Sequence, residues 1–124
     1  MQRQHKILIV EDDPSNTELF IDILSIGGYD CTACSNGKEA IEIAKKEKYD
    51  LILLDIQLPD IDGFEIKNVL RSYDETRNLK IIALTAYAMK GDREMFLEKG
   101  FDGYISKPIK MKEFLDTVKN YLSQ

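Results

Sequence analysis

Four short apolar runs in this 124-residue chain each lead into residues that can do chemistry. Glu11, Asp12 and Asp13 follow KILIV, and Asp55 follows LILL. Thr85 follows KIIAL, and Lys107 comes shortly after GYI. Three carboxylates in one cleft (Glu11, Asp12 and Asp55) would repel and raise one another's pKa. A hard divalent cation removes that conflict. Mg²⁺ takes oxygen ligands, keeps several waters and commonly joins one or two carboxylates to a phosphate. A lysine supplies a compact cation for phosphate oxygens, and a threonine supplies a hydroxyl. These are parts for phosphoryl transfer, where positioning and charge neutralisation carry most of the catalysis. No GxxxxGK[ST] loop is present, which argues against ATP as the direct donor. The remaining nucleophile is a carboxylate, and aspartyl phosphates are established intermediates. Taken singly, each residue also has an ordinary structural reading. Asp13 before Pro14 is a helix cap, Thr85 could cap a following segment, and Lys107 could be a solvated loop lysine. Their joint placement is what carries the chemical reading.

The elements that must position these groups are legible from hydrophobic spacing. Strands are expected at Lys6–Val10, Tyr29–Cys34, Leu51–Leu54, Lys80–Leu84 and Asp102–Ile105. A helix opens at Asp13-Pro14, with Leu19, Phe20, Ile23 and Leu24 at helical spacing, and ends at Gly27-Gly28. Others are marked by Ala40, Ile41 and Ala44, by Gly63–Ser72, by Met89 to Glu98, and by Phe114, Leu115, Val118, Tyr121 and Leu122. Strand and helix alternate five times without a linker, so one domain spanning 1–124 is expected. Near-continuous apolar strands suit a parallel sheet covered on both faces. Glu11, Asp12, Asp55, Thr85 and Lys107 then share the carboxyl edge of that sheet, where ligands bind in open α/β folds.

Composition bounds the rest. A net charge of −5 argues against general nucleic-acid binding. No run approaches the ~18 apolar residues of a membrane span, and the N-terminal apolar run is too short for a signal peptide. A cytoplasmic protein is expected. Cys31 and Cys34 form a C-x-x-C, but in a strand they face opposite sides. His5 is the only histidine, so a Cys/His zinc site is poorly supplied.

The segments ILIVEDDPSN (7–16), LILLDIQLPDIDG (51–63), ALTAYAMKGD (83–92) and GYISKPI (103–109) resemble the response-regulator receiver domains, the CheY-like family. The resemblance runs from Lys6 to about Leu122, and the motifs look most like single-domain regulators of the DivK type and receivers of hybrid kinases. It implies a flavodoxin-like three-layer sandwich with a five-stranded parallel sheet in order 2-1-3-4-5 and five helices. It makes Asp55 the phosphoacceptor, Asp12 a direct Mg²⁺ ligand, Glu11 its partner through water, and Gln57 a backbone-carbonyl ligand. Thr85 would bind a phosphoryl oxygen and Lys107 would pair with the phosphoryl group, across a cis Lys107–Pro108 bond. Tyr104 matches the aromatic switch position, against an ordinary reading as a packed core tyrosine. Ala86 would leave the phosphoryl group accessible, while Tyr87 and Gln57 would tune its hydrolysis. Asn16 and Phe20 lie on the face that resembles the docking surface for histidine kinases, although a cap and a core aromatic are their plain readings. The implied partners are a histidine kinase or histidine phosphotransferase and a downstream protein. No direct nucleic-acid or membrane partner is implied, and the expected state is a monomer or weak phosphorylation-dependent dimer. The chain ends soon after the fifth helix, so output through protein contact or phosphorelay is expected, unless the chain is cut from a hybrid kinase.

Three rivals remain in view. An aspartyl-nucleophile phosphatase would want a second acid two residues after Asp55, where Gln57 stands. A flavin mononucleotide binder would want a Ser/Thr/Gly-rich loop where EDDPSN stands. A receiver-shaped protein that is never phosphorylated would not need the full set of acids, threonine and lysine. The leading reading is a regulator that assists its own phosphorylation and dephosphorylation without being an enzyme.

Overall fold

In the computed structural model, which describes residues 4–86 and 92–123, strand and helix alternate throughout. The order is β1 (Lys6–Val10), α1 (Pro14–Ile26), β2 (Asp30–Cys34), α2 (Gly37–Lys46), β3 (Leu51–Asp55), α3 (Gly63–Ser72), β4 (Lys80–Thr85), α4 (Asp92–Glu98), β5 (Gly103–Ser106) and α5 (Met111–Leu122). The strands form one sheet in the order β2-β1-β3-β4-β5, with every neighbouring pair parallel. This is the expected topology.

Period-two alternation sorts the strand side chains onto two faces. Leu8, Val10, Ile52, Leu54, Ile81 and Ala83 pack with α2, α3 and α4 through Ala40, Ala44, Ile66, Leu70 and Phe96. Ile7, Ile9, Leu51, Leu53, Ile82 and Leu84 pack with α1 and α5 through Phe20, Ile23, Leu24, Phe114 and Val118. Phe20 and Phe114 stack with ring centroids 5.5 Å apart. Each fully buried side chain of this size contributes roughly 1.5–3 kcal/mol. Cys31 and Cys34 fall in opposite cores and both thiols are free. Burial pushes them up to about 11 and about 12.

Local signals set the helix starts. The Asp13 carboxylate accepts from the Ser15 N–H at 2.9 Å with Pro14 next in line. Asn36 and Asp62 cap α2 and α3 by accepting from the Glu39 and Glu65 N–H groups, each at 2.9 Å. Gly28 sits at φ +82°, a conformation that favours glycine, where α1 gives way to β2.

Some boundaries differ from expectation. Asp55 ends β3, while Thr85 is the last residue of β4 and not the first residue beyond it. β5 starts one residue later than expected, because Asp102 turns its carboxylate onto the Ile81 N–H at 2.8 Å and onto Arg71 at 2.9 Å. Leu19 is 46% exposed and is not a core position. Of the fourth helix, Asp92–Glu98 is seen; the expected start at Met89, and Tyr87, lie outside the described residues. No helix among the described residues is long and apolar enough to cross a membrane.

Candidate functional site

Parallel pairing brings four strand ends to one edge. Val10 pairs with Leu54, so Glu11 and Asp55 emerge side by side from the two central strands. Asp55 pairs with Leu84 and Thr85 with Ser106, which puts Thr85 and then Lys107 beside them. The Lys107 N–H donates to the Thr85 carbonyl at 2.8 Å, and the Lys107–Pro108 bond is cis, as expected.

Lys107 is the hub of the site. Its Nζ lies 2.6 Å from Glu11 Oε1 and 3.0 Å from Asp55 Oδ2. Burial works against its charge, but the hydrogen bonds to Glu11 and Asp55 outweigh that effect and its pKa ends raised. The other oxygen of Asp55, Oδ1, accepts the Gln57 N–H at 2.9 Å. Asp55 is only 5% exposed, deeper than an acid at a solvent edge would be. Lys107 reaches across the sheet edge to it.

Glu11 is 2% exposed. Its Oε1 also accepts from Asn16 Nδ2 at 3.1 Å. Asn16 therefore faces the site, a role that the sequence reading did not give it. The Glu11 carboxyl is pushed up to about 7, first by burial and then by Asp55, with Lys107 opposing. Desolvation thus outweighs the mutual repulsion that the sequence suggested. Asp12 is exposed, and beside Glu11 and Asp12 opens a cleft of about 500 Å³ that Ile21, Ala33 and Cys34 also line.

The donors fit a hard divalent cation. Glu11, Asp12 and Asp55 each offer a carboxylate oxygen, and these atoms lie within 4.8 Å of one another. Glu11 Oε2 is buried with no hydrogen-bond partner. Burying such an atom unpaired is costly, and a bound cation would satisfy it.

Thr85 is 5% exposed at the end of β4. Gln57 and Ala86 are exposed. Tyr104 is half-buried on β5, stacked on Phe96 with centroids 5.6 Å apart. Phe20 is a core aromatic, 1% exposed. A recess of about 270 Å³ is lined by Asn16, Leu19, Phe20, Ala86, Lys107 and Ile109, among others. Leu19, not Phe20, supplies its exposed apolar side chain.

Known proteins resemble this chain in sequence and fold. Residues 7–119 match the response regulator receiver domain family. The polar-differentiation response regulator DivK of Brucella anthropi is 45% identical over 116 residues, 94% of each chain. A putative response regulator from Chloroflexus aurantiacus has a TM-score of 0.91 at 31% identity, covering 98% of this chain and 100% of its own. The receiver domain of a sensor histidine kinase from Pseudomonas aeruginosa PAO1, with a magnesium ion coordinated in its active-site cleft, has a TM-score of 0.88 at 35% identity. That match covers 98% of this chain and 100% of the other.

Proposed function

This chain belongs to the response regulator receiver domain family of two-component signalling, and on that footing we propose that Asp55 is its phosphoacceptor. The observation that carries the assignment is Lys107, just after β5, bridging Glu11, just after β1, and Asp55, the last residue of β3. A phosphohistidine partner, either a histidine kinase or a histidine phosphotransferase, is the donor. The Asp55 carboxylate forms the new P–O bond as the donor's P–N bond breaks, and that electron pair returns to the imidazole.

Asp12, Asp55 and the Gln57 carbonyl would hold Mg²⁺, with Glu11 joining through water, and the ion would neutralise phosphoryl charge. Lys107 leaves its carboxylate partners to meet the incoming phosphoryl oxygens, and the Thr85 hydroxyl donates to another. The modification puts a phosphoryl group of roughly −1.5 to −2 charges, a range set by hydroxyl phosphates, in place of the single negative charge of the Asp55 carboxylate. Thr85 and Tyr104 respond as the switch and alter the face made by α4, β5 and α5. Gln57 and Tyr87 flank the acyl phosphate and tune its hydrolysis, and Ala86 leaves it open. The exposed Leu19 in the recess beside Lys107 supports docking of the donor on α1.

Residues 1–124 make one receiver domain in this reading. It promotes only its own phosphorylation and hydrolysis, works in the cytoplasm as a monomer or weak phosphorylation-dependent dimer, and acts on a protein target without touching nucleic acid or membrane. Intact-mass measurement with acetyl phosphate and Mg²⁺ tests the site. One added phosphoryl group is expected, lost with EDTA and in Asp55→Asn. Uptake that persists in Asp55→Asn removes the assignment.

A further inference from the structure

Asp60 lies five residues beyond Asp55, exposed, on the loop that joins β3 to α3. Its two carboxylate oxygens are both engaged by groups outside its own loop, beside weaker help from the Ile61 N–H and its own. Oδ1 accepts the Gly37 N–H at 2.9 Å and Oδ2 accepts the Lys38 N–H at 3.1 Å. These are orphan donors of the first turn of α2, which no helical carbonyl can satisfy. Asn36 already caps that helix through the Glu39 N–H. The end of α2 thus takes two side-chain caps, one local and one from 23 residues downstream. The Gly37 N–H, followed by that of Lys38, holds the Asp60 carboxyl below its ordinary value.

The loop between Asp55 and α3 is closed by one tight approach to backbone at Gly63 and packed on α2 by side chains that approach Gly37. A Cβ on Gly63 would lie 2.8 Å from the Ile56 Cα and 3.0 Å from the Asp55 carbonyl oxygen. The Gly63 N–H also donates to the Ile56 carbonyl at 2.9 Å. A Cβ on Gly37 would lie 2.6 Å from Ile66 and 3.3 Å from Ile61. Between these two points runs 57–60, and Asp60 ties it to α2. That stretch matters because the Gln57 N–H fixes Asp55 Oδ1.

We propose that Asp60 is a positioning residue for the Asp55 site: by clamping the β3–α3 loop to the first turn of α2, it sets where Gln57 stands against Asp55 and the metal. The inference rests on the phosphoacceptor reading above. Removing a residue hydrogen-bonded directly to a metal ligand typically weakens binding by about 10–100-fold, and Asp60 acts one step further out, through the loop.

The test is Mg²⁺ titration of the unphosphorylated chain by calorimetry, with thermal melts alongside. Asp60→Ala is expected to weaken Mg²⁺ binding roughly tenfold, at the low end of that range. Asn36→Ala removes the other cap of the same helix without touching the loop, so it should lower the melting temperature and leave Mg²⁺ affinity unchanged. Asp60→Asn keeps one oxygen acceptor and should fall between Asp60→Ala and wild type. Equal loss of Mg²⁺ affinity in Asp60→Ala and Asn36→Ala, or no loss in either, overturns the proposal. If Asp60→Ala does not fold, wild-type affinity in Asp60→Asn overturns it. Asp55→Asn is treated with acetyl phosphate in parallel. Phosphoryl uptake there defeats the phosphoacceptor reading by itself, whatever the Asp60 variants show.

Discussion

Replacing Lys107 by alanine should destabilise the metal-free protein strongly and the magnesium-bound protein little. The lysine sits 2.6 Å from Glu11 and 3.0 Å from Asp55. At an effective dielectric of about 20, each contact has a gross Coulomb energy of about 6 kcal/mol. Desolvating the three groups cancels most of that. Removing one partner of a buried ionic cluster nevertheless costs about 3–5 kcal/mol, because the remaining charges stay buried. The Lys107 side chain is 19% exposed, and Glu11 can escape by taking a proton. Both facts favour the low end, about 3 kcal/mol. For a domain of this size that lowers Tm by about 10 °C. Melts followed by circular dichroism in EDTA should show this loss, and excess Mg²⁺ should recover most of it by meeting the same carboxylates. Glu11→Gln added to Lys107→Ala should also restore stability in EDTA. An unchanged Tm for Lys107→Ala in EDTA would refute the reasoning, since Lys107 would then hold no buried charge in place.

Glu11 makes the metal-free protein pH-sensitive. Its folded pKa, about 7, exceeds its ordinary 4.5, so the folded state binds more protons and this group's contribution to stability falls as pH rises through that window. Melts in EDTA should show a drop between those pH values that is flattened in Glu11→Gln. Gly103→Ala should cost about 1–3 kcal/mol, because the added Cβ would run into the Tyr121 hydroxyl. Denaturant titration checks this, with partial rescue expected from Tyr121→Leu. Leu19→Ala should slow transfer from a phosphorylated histidine phosphotransferase with stability within about 0.5 kcal/mol of wild type. Phe20→Ala should instead cost about 3–5 kcal/mol in the same titration.

Much of the architecture could be read from β-branched runs and capping residues, because those signals are local. KILIV, LILL and KIIAL can hardly be anything but buried strands, and Asp13-Pro14 starts α1 as its chemistry requires. The site was legible for a different reason: residues of unlike chemistry ended several strands, and a parallel sheet gathers strand ends. What escaped were contacts with no local signal. Leu19 and Phe20 are neighbours on one helix, and only the packing of α1 against α5 decides that Phe20 is inside. The Asn16–Glu11 hydrogen bond depends on a side-chain direction that helical spacing does not specify. Asp60 reads as a turn residue after Pro59, and its partners at Gly37 and Lys38 cannot be inferred from the loop alone. The burial of Asp55 also needed the third dimension, since it depends on a lysine 52 residues away.

The Lys107–Glu11 contact joins residues 96 apart in sequence. Contacts of such separation form late, after the costly closure of the intervening chain. A ribosome making roughly 5–20 residues per second exposes the acids near the N-terminus several seconds before their lysine is synthesised. In the later part of that interval the nascent chain carries Asp55 without the lysine that pairs with it. If Asp55 is the acceptor proposed above, competence to receive a phosphoryl group would arrive only with the last strand and the loop that follows it.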